Sequence, residues 1–536
     1  MLVLGISETH CATAAVLRDG QIVGCASEER FSRLKNDAGY PRRAIDALLR
    51  ELHLDRGALD LVVLAGTRIP TYEWMNRVMR DEAYRRRYYG VGLETPRRGL
   101  TGRARKLGAR LGLLDPAPGK APLADEERRA HVTGHLGLAA ERVRIVDHHA
   151  CHAAAAYFGS PFGGREALVL TNDNSGDGLC ATVSTARATT LERREATRSG
   201  PGSLGSFYTL VTLLLGMKPG EHEYKVMGLA PYAPAGGAQR LLEEALLRWV
   251  RLARERYGAE RLALGGGVFM NVKANMLLAE EPWVSDLFVF PSCGDESNAV
   301  GAAYLGYLEL CAARGTAPAP RPFGPAYLGP SLDDAEAEEA IRERDVAARH
   351  RVSEPARLEE KIAELLVADG VVARCAGRME FGARALGNRS ILANPADHRV
   401  VGLINRMIKN RDFWMPFAPS VLREREADYL VNPKGLASPY MMLAFPTNPK
   451  RRDEIVAAIH PHDATARAHI VDEAWNPGYH RVLREFEART GIGAVLNTSF
   501  NLHGEPLVCS PADALDTFER SGLPHLALGR FLVSKR

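Results

Sequence analysis

The run Asp147-His148-His149-Ala150-Cys151-His152 continues into Ala153-Ala154-Ala155-Ala156, so three imidazoles stand beside a helix-forming stretch. On a helix, His148 and His152 lie four apart and share a face. Two imidazoles at that spacing can hold a divalent metal, with oxygen or nitrogen donors completing the shell. The structural alternative is a set of histidines that cap the helix and hydrogen-bond the core. Two aspartates sit in glycine-bearing loops after strands: Asp173 in Thr171-Asn172-Asp173-Asn174-Ser175-Gly176, and Asp295 in Pro291-Ser292-Cys293-Gly294-Asp295. Carboxylates beside glycines, where a ligand can approach the backbone, suit metal or phosphate chemistry. The Ala/Gly-rich helix that follows Asp295 could also attract phosphate with its first amides. A third glycine-rich turn, Gly265-Gly266-Gly267-Val268-Phe269-Met270-Asn271, follows another strand. Turns need glycine anyway, so these loops gain weight only together with the histidine pair. After the first strand, Ser7-Glu8-Thr9-His10 puts hydroxyls and an imidazole on a loop, where His10 could act as a general base.

The C-terminal half carries a different set. Arg384, Asn388, Arg389 and Ser390 fall in one glycine-interrupted stretch, followed by Lys409, Arg411, Arg467, Asn497, Ser499 and Asn501. Cationic side chains among Gly, Phe and Leu, mixed with Ser, Thr and Asn, fit a phosphate-rich anion better than a solvated charged face.

These residues need elements to position them. The chain has 536 residues, 46% hydrophobic and 25% charged, enough to bury large cores without disulfides or structural metal. A net charge of +4 gives no global argument for nucleic acid. No apolar run reaches the roughly 18–20 residues of a membrane span. Met1-Leu2-Val3-Leu4-Gly5-Ile6-Ser7 reads as a buried strand rather than a leader. The eight cysteines show no C-x-x-C spacing, so a reduced, cytoplasmic setting is expected. Residues 1–30 read as strands joined at Asp19-Gly20, a hairpin signal. Tyr40 to Leu52 is helical, and Leu61 to Ala65 is a buried strand. Further strands are expected at Val143, Ala167, Leu262 and Val371. The Pro- and Gly-dense stretch 314–331 is the best boundary candidate. The arginine-rich segment 77–110 could bind phosphate or nucleic acid, but with few aromatics to stack bases a solvated helical insertion is expected. No internal repeat of 20–50 residues is visible.

Taken in order, several strings resemble the O-carbamoyltransferase family of the nodulation-factor (NodU) and cephamycin (CmcH) type. They are Ser27-Glu-Glu-Arg-Phe-Ser-Arg-Leu-Lys35, Asp147-His-His-Ala-Cys-His-Ala153, Glu223-Tyr-Lys-Val-Met-Gly-Leu-Ala-Pro-Tyr232, Gly266-Gly-Val-Phe-Met-Asn271, Gly377-Arg-Met-Glu-Phe-Gly-Ala-Arg-Ala-Leu-Gly-Asn-Arg-Ser390 and Leu496-Asn-Thr-Ser-Phe-Asn501. The resemblance implies an α/β protein with a duplicated actin/hexokinase-like (ASKHA) unit over 1–335, a linker over 336–355 and a YrdC-like unit over 356–536. It implies that carbamoyl phosphate and ATP, with Mg2+, form carbamoyl-adenylate in the second unit. In the first, a hydroxyl of a small natural product or sugar takes the carbamoyl group and AMP leaves.

Carried over by motif, His148, His152 and Asp295, with Asp173 as a further candidate, are implied ligands of Fe2+ or another divalent metal. His10 is implied as the base, and Gly266, Gly267 and Asn271 as contacts to the adenylate in the first unit. Arg384, Arg389, Ser390, Lys409, Arg411, Arg467, Asn497, Ser499 and Asn501 are implied to line the adenylating site. Four departures bear on the fine shape of the pockets. Met415 stands where Arg is expected, Asn174 and Ser297 replace glycines, and Asp463-Ala-Thr-Ala-Arg467-Ala-His469 departs from an Asp-Gly-Thr-x-Arg-x-Gln pattern. Membrane and nucleic-acid partners are not expected, and a homodimer is the assembly left open. The rival readings are a sugar-kinase-like phosphotransferase, which has no use for the arginine-rich second unit, and a tRNA-binding or regulatory protein.

Overall fold

In the computed structural model the described residues are 1–81, 122–200, 202–232, 235–368, 370–409, 412 and 414–536. Most of the basic segment 77–110, from residue 82 onward, and Arg411 fall outside them. The apolar runs at the N-terminus form β1 (Leu2–Ser7), β2 (Thr13–Arg18) and β3 (Gln21–Ser27), followed by β4 (Leu61–Ala65) and β5 (Val143–Val146). The hairpin between β2 and β3 turns on Asp19 (φ 48°) and Gly20 (φ 84°), the pair of positive angles that a tight two-residue turn requires. These strands make a five-stranded sheet in the order β3-β2-β1-β4-β5. β1 pairs antiparallel with β2 and parallel with β4.

The next five strands repeat that plan. β6 (Ala167–Gly176), β7 (Leu179–Arg187), β8 (Thr190–Arg198), β9 (Arg261–Gly265) and β10 (Asp286–Val289) assemble in the order β10-β9-β6-β7-β8. β6 again pairs antiparallel with the strand after it and parallel with β9. The same order and directions twice over are the duplicated actin/hexokinase-type arrangement. Two helices fill the space between the sheets. His148–Phe158 packs on β6 and β9, and Asn298–Arg314 packs on β1, β2 and β4. They meet through Gly301, where an added Cβ would fall 1.8 Å from the Cys151 carbonyl oxygen. The helices therefore touch backbone to backbone.

A third, eight-stranded sheet holds the C-terminal residues. Its strands are β11 (His350–Ser353), β12 (Val372–Cys375), β13 (Arg389–Ala393), β14 (Ala418–Leu422), β17 (His469–Val471), β18 (Ala494–Ser499), β19 (His525–Leu528) and β20 (Phe531–Lys535). The order is β11-β20-β19-β12-β13-β18-β14-β17, while β15 (Phe445–Pro446) and β16 (Thr465–Ala466) form a separate ribbon. Residues 336–355, expected as a linker, are structured instead. They carry helix Val346–Arg349, most of helix Asp334–Glu343, and β11, which pairs antiparallel with β20. Residues 316–330 hold no helix or strand, so the chain crosses between units there, as the proline-rich composition requires.

The seam between the units is packed as well as charged. Phe323 stacks edge-on with Phe290 on one side and with Phe381 and Tyr440 on the other. Lys273 pairs with Asp463 at 2.5 Å, and Lys225 with Asp412 at 3.1 Å. Among the described residues no helix is long and apolar enough to cross a membrane.

Replacing Gly301 by alanine forces the two central helices apart. We expect a loss of about 1–3 kcal/mol, seen in scanning calorimetry of the full chain as a thermal midpoint several degrees lower. An unchanged midpoint would show that the helices separate without cost.

Candidate functional site

The cluster begins with a helix cap. Asp147 accepts a hydrogen bond from Ala150 N at 2.7 Å, which starts the helix at His148 and sets the His148/His152 face. That face meets the ends of β6 and β10. His148 Nε2 lies 3.1 Å from Asp173 Oδ2, 3.1 Å from His152 Nε2 and 3.6 Å from Asp295 Oδ1. His152 Nε2 lies 3.4 Å from Asp173 Oδ2 and 3.8 Å from Asp295 Oδ1. One ligand atom from each of the four residues falls within 4.8 Å of all the others. Gly176 makes room for the ring, since a Cβ there would stand 2.1 Å from His148 Cδ2. The third histidine turns away: His149 Nδ1 meets Thr171 Oγ1 at 2.7 Å. Burial, and then the neighbouring His148 and His152, push its pKa down to about 4.

Partners behind the rings decide which nitrogens face the cluster. Ser297 Oγ donates to Gly294 O at 2.8 Å, so toward His152 Nδ1, 3.1 Å away, it can only accept. His152 then carries its proton on Nδ1 and offers the Nε2 lone pair inward, so a residue that departs from the expected glycine orients a ligand. Asn298 sits against His148 Nδ1 at 3.3 Å, and its own Oδ1 is buried without a partner. The same amide nitrogen lies 3.4 Å from His152 Nε2. A half-turn of the amide would place Oδ1 on His148 Nδ1–H and free His148 Nε2, with Nδ2 then taking the unpartnered position. Burial alone would lower the His148 pKa, but the Asp295 and Asp173 carboxylates outweigh it and push it up to about 9. Burial would raise Asp173, yet its bonds to His148 and His152 hold it well below the usual carboxylate range. Two imidazoles and two carboxylates, three of the four residues buried and with the Asn298 amide behind one ring, fit a divalent transition metal.

A cavity of about 1030 Å³ opens in front of this cluster and extends to the C-terminal unit. His10, Asp173, Asp295, Gly267 and Asn271 line it from one side, and Arg384, Lys409, Arg467, Ser499 and Asn501 from the other. Among the described residues His10 Nε2 is buried with no partner. The loop that carries it is tied down by Glu8, which accepts from Arg128 Nε at 2.7 Å and Tyr72 Oη at 2.5 Å. Asn271 is committed to structure, capping helix Val272–Glu280 and pairing its amide with Gln239. Gly266 (φ 95°) lies behind the lining residues, against Asn172.

On the opposite wall Lys409 ends a π-helical turn, Asn405–Lys409, a distortion that recurs at functional sites. Lys409 is 3% exposed, and its ammonium donates to Asn501 Oδ1 at 2.7 Å and Ser499 Oγ at 3.0 Å. Three of the sequence candidates do not reach the cavity. Arg389 spends its guanidinium on the carbonyls of Ala376, Gly377, Asn388 and Cys509. Ser390 Oγ accepts from Gly387 N, and Asn497 Nδ2 donates to Ala385 O. All three brace the 377–390 loop, together with Glu380, whose buried carboxylate accepts from the amides of Leu386, Asn388 and Arg389. Met415 lines the cavity as an apolar wall beside Gly228. His469 is buried on β17 against Ser420, its pKa pushed down to about 3 by burial. Asn174 anchors the helix Leu204–Leu214 through Ser203 and Ser206. Arg30, Lys35, Glu223 and Lys225 also face the cavity. In the sequence they stand only within the matching strings; for Arg30 and Lys35 the charged run just past the end of β3 is the signal, and Glu223 and Lys225 carry none of that kind.

Known proteins share this plan. A family model described as Carbamoyltransferase N-terminus matches residues 2–100, 128–237 and 233–304, and one described as Carbamoyltransferase C-terminus matches 363–535. A Synechocystis sp. protein is 30% identical, covering 99% of this chain and 96% of its own. A Methanocaldococcus jannaschii protein is 28% identical with 100% of both chains covered. Nodulation protein NolNO of Sinorhizobium fredii is 30% identical over 98% of this chain and 79% of its own. Among solved structures, a ROK hexokinase from Thermus thermophilus covers 58% of this chain and 99% of its own, at 17% identity and a TM-score of 0.32. An overlay that loose adds nothing to the strand order, from which the fold is read.

Replacing His148 or His152 by alanine should abolish stoichiometric binding of divalent metal, measured by elemental analysis of the folded protein. Asn298→Leu should weaken binding about 10–100-fold, because the ring loses its orienting partner. Unchanged metal content in both histidine variants would remove the cluster from consideration.

Proposed function

The chain belongs to the carbamoyltransferase family and is an enzyme of carbamoyl transfer; from that premise we propose an ATP-dependent O-carbamoyltransferase that works through carbamoyl-adenylate. The observation that carries this reading is the single cavity faced by two unlike sets of groups. One wall offers cations and hydrogen-bond donors, and the other a metal-type cluster with an unpartnered imidazole.

Carbamate is a poor electrophile. In the proposed first half, water releases inorganic phosphate from carbamoyl phosphate. The carbamate oxygen then attacks the α-phosphorus of Mg2+-bound ATP, and pyrophosphate leaves. Lys409, Arg384 and Arg467 balance the charge that gathers on the phosphates, with Ser499 and Asn501 holding the lysine in place. Arg389, Ser390 and Asn497 act from behind, by fixing the loop that carries Arg384. In the second half an acceptor hydroxyl attacks the carbamoyl carbon, the C–O bond to phosphate breaks, and AMP leaves. His10 takes the hydroxyl proton on Nε2. His148, His152, Asp173 and Asp295 would hold Fe2+ or another divalent metal, which supplies Lewis-acid stabilisation of developing negative charge. The first-unit adenylate contacts, Gly266, Gly267 and Asn271, shape the floor through their turn rather than through free side-chain donors. The acceptor is a hydroxylated small molecule of the natural-product or sugar class.

Lys409→Met should slow pyrophosphate release from ATP about 10²–10³-fold while still transferring the carbamoyl group from supplied carbamoyl-adenylate. His10→Asn should do the reverse, leaving pyrophosphate release intact and slowing single-turnover transfer about 10²–10⁴-fold. A wild-type transfer rate in His10→Asn would rule out the base, and loss of both halves in a folded Lys409→Met would rule out the two-site assignment.

A further inference from the structure

Arg30 is a buried cation that the chemistry above does not use. It lies in the four-residue turn Glu29–Ser32 just after β3 and is 2% exposed. Nη2 crosses the seam to donate to Gly382 O at 2.6 Å. The carboxylate facing it, Glu29 Oε1, stands 3.7 Å off, and the other Glu29 oxygen accepts from Asn36 N at 2.9 Å. Nη1 is buried with no partner among the described residues, on a side chain that lines the cavity. Leaving a guanidinium donor dry and unfilled is unfavourable unless a ligand fills it.

Its position is specific. Glu28 N donates to Ala12 O at 2.8 Å, which holds the Arg30 turn against the loop that carries His10. On the other side Gly382 stands two residues before Arg384, whose Nε is likewise buried without a partner. The Arg384 loop is hung in turn on the loop of Asp295, because Ala383 N donates to Ser292 Oγ at 3.0 Å. Arg30 thus stands between the imidazole on one wall and the cationic set on the other.

We propose that Arg30 is an anion-binding residue at the seam, gripping the phosphate of the acyl-adenylate between its formation and its use. The ligand class is a phosphate monoanion carried on a nucleoside, held by Nη1 with Arg384 Nε approaching from the other unit. This role rests on the adenylate reading above. It makes Arg30 a retention residue rather than a catalytic one.

The test needs no acceptor. Full-length enzyme is mixed with carbamoyl phosphate, Mg2+ and α-labelled ATP for one turnover, and labelled nucleotide is split into protein-bound and free by rapid gel filtration. In Arg30→Met the pyrophosphate burst should match wild type, while bound labelled adenylate falls about tenfold or more and free AMP rises to match, as the intermediate escapes and hydrolyses. Arg30→Lys should recover part of the retention. Arg33→Met is the control for seam packing, because Arg33 also crosses the seam, donating to Pro506 O at 3.0 Å and to Leu507 O, but does not line the cavity. It should retain adenylate like wild type. Wild-type retention in Arg30→Met, loss of its burst, or equal leakage from Arg33→Met would each overturn the proposal. Absence of any burst in wild type would instead sink the adenylate reading, and this proposal with it.

Discussion

The whole site hangs on one contact, the backbone-to-backbone touch of helices His148–Phe158 and Asn298–Arg314 at Gly301. One helix carries both imidazoles; the other is led in by Asp295, Ser297 and Asn298. At ordinary helix spacing of about 8–10 Å between axes, with side chains between them, the ligand atoms could not converge. Close approach also buries both imidazoles and Asp173, while Asp295 stays partly exposed on the cavity. Burying the Asp173 carboxylate is unfavourable by itself, and the paired rings offset that cost.

The second constraint is the seam. Its ion pairs are partly exposed, and such pairs contribute little each. The aromatic stack around Phe323 is what buries substantial area there, so apolar packing sets how the units face one another. Charge then determines what the space between them can hold. Lys409 and Arg384 come from one side and His10 and the cluster from the other, and the 377–390 loop, threaded by Glu380, reaches across to touch the Asp295 loop.

Local signals in the sequence were strong where local physics dominates. The Asp19-Gly20 hairpin, the His148/His152 spacing and the Asp295 loop follow from turn chemistry or helical period, whereas Asp173, expected on a loop, lies in the irregular part of β6. The duplication leaves no visible repeat in the sequence because the two sheets share strand order and direction, not residue identity. Residue type alone could not separate Arg384, which faces the cavity, from Arg389, which faces carbonyls, since both sit among glycines in one loop. His149 beside His148 poses the same problem: adjacent residues on a helix point about 100° apart, and only the packing of β6 decides which ring looks inward. The resemblance implies a linker over 336–355, where the chain instead carries most of helix Asp334–Glu343 and β11, a four-residue strand that gains its identity only from pairing with β20.

The volume of the shared cavity has a kinetic meaning. One small molecule confined in about 1030 Å³ is at an effective concentration on the order of 1 M. Under the proposed division of labour, a group made on one wall and used on the other would meet its partner as if in concentrated solution, however dilute both are outside. Turnover would then be insensitive to how much free intermediate the surrounding solution holds, and a labile acyl phosphate could serve as a carrier without ever accumulating.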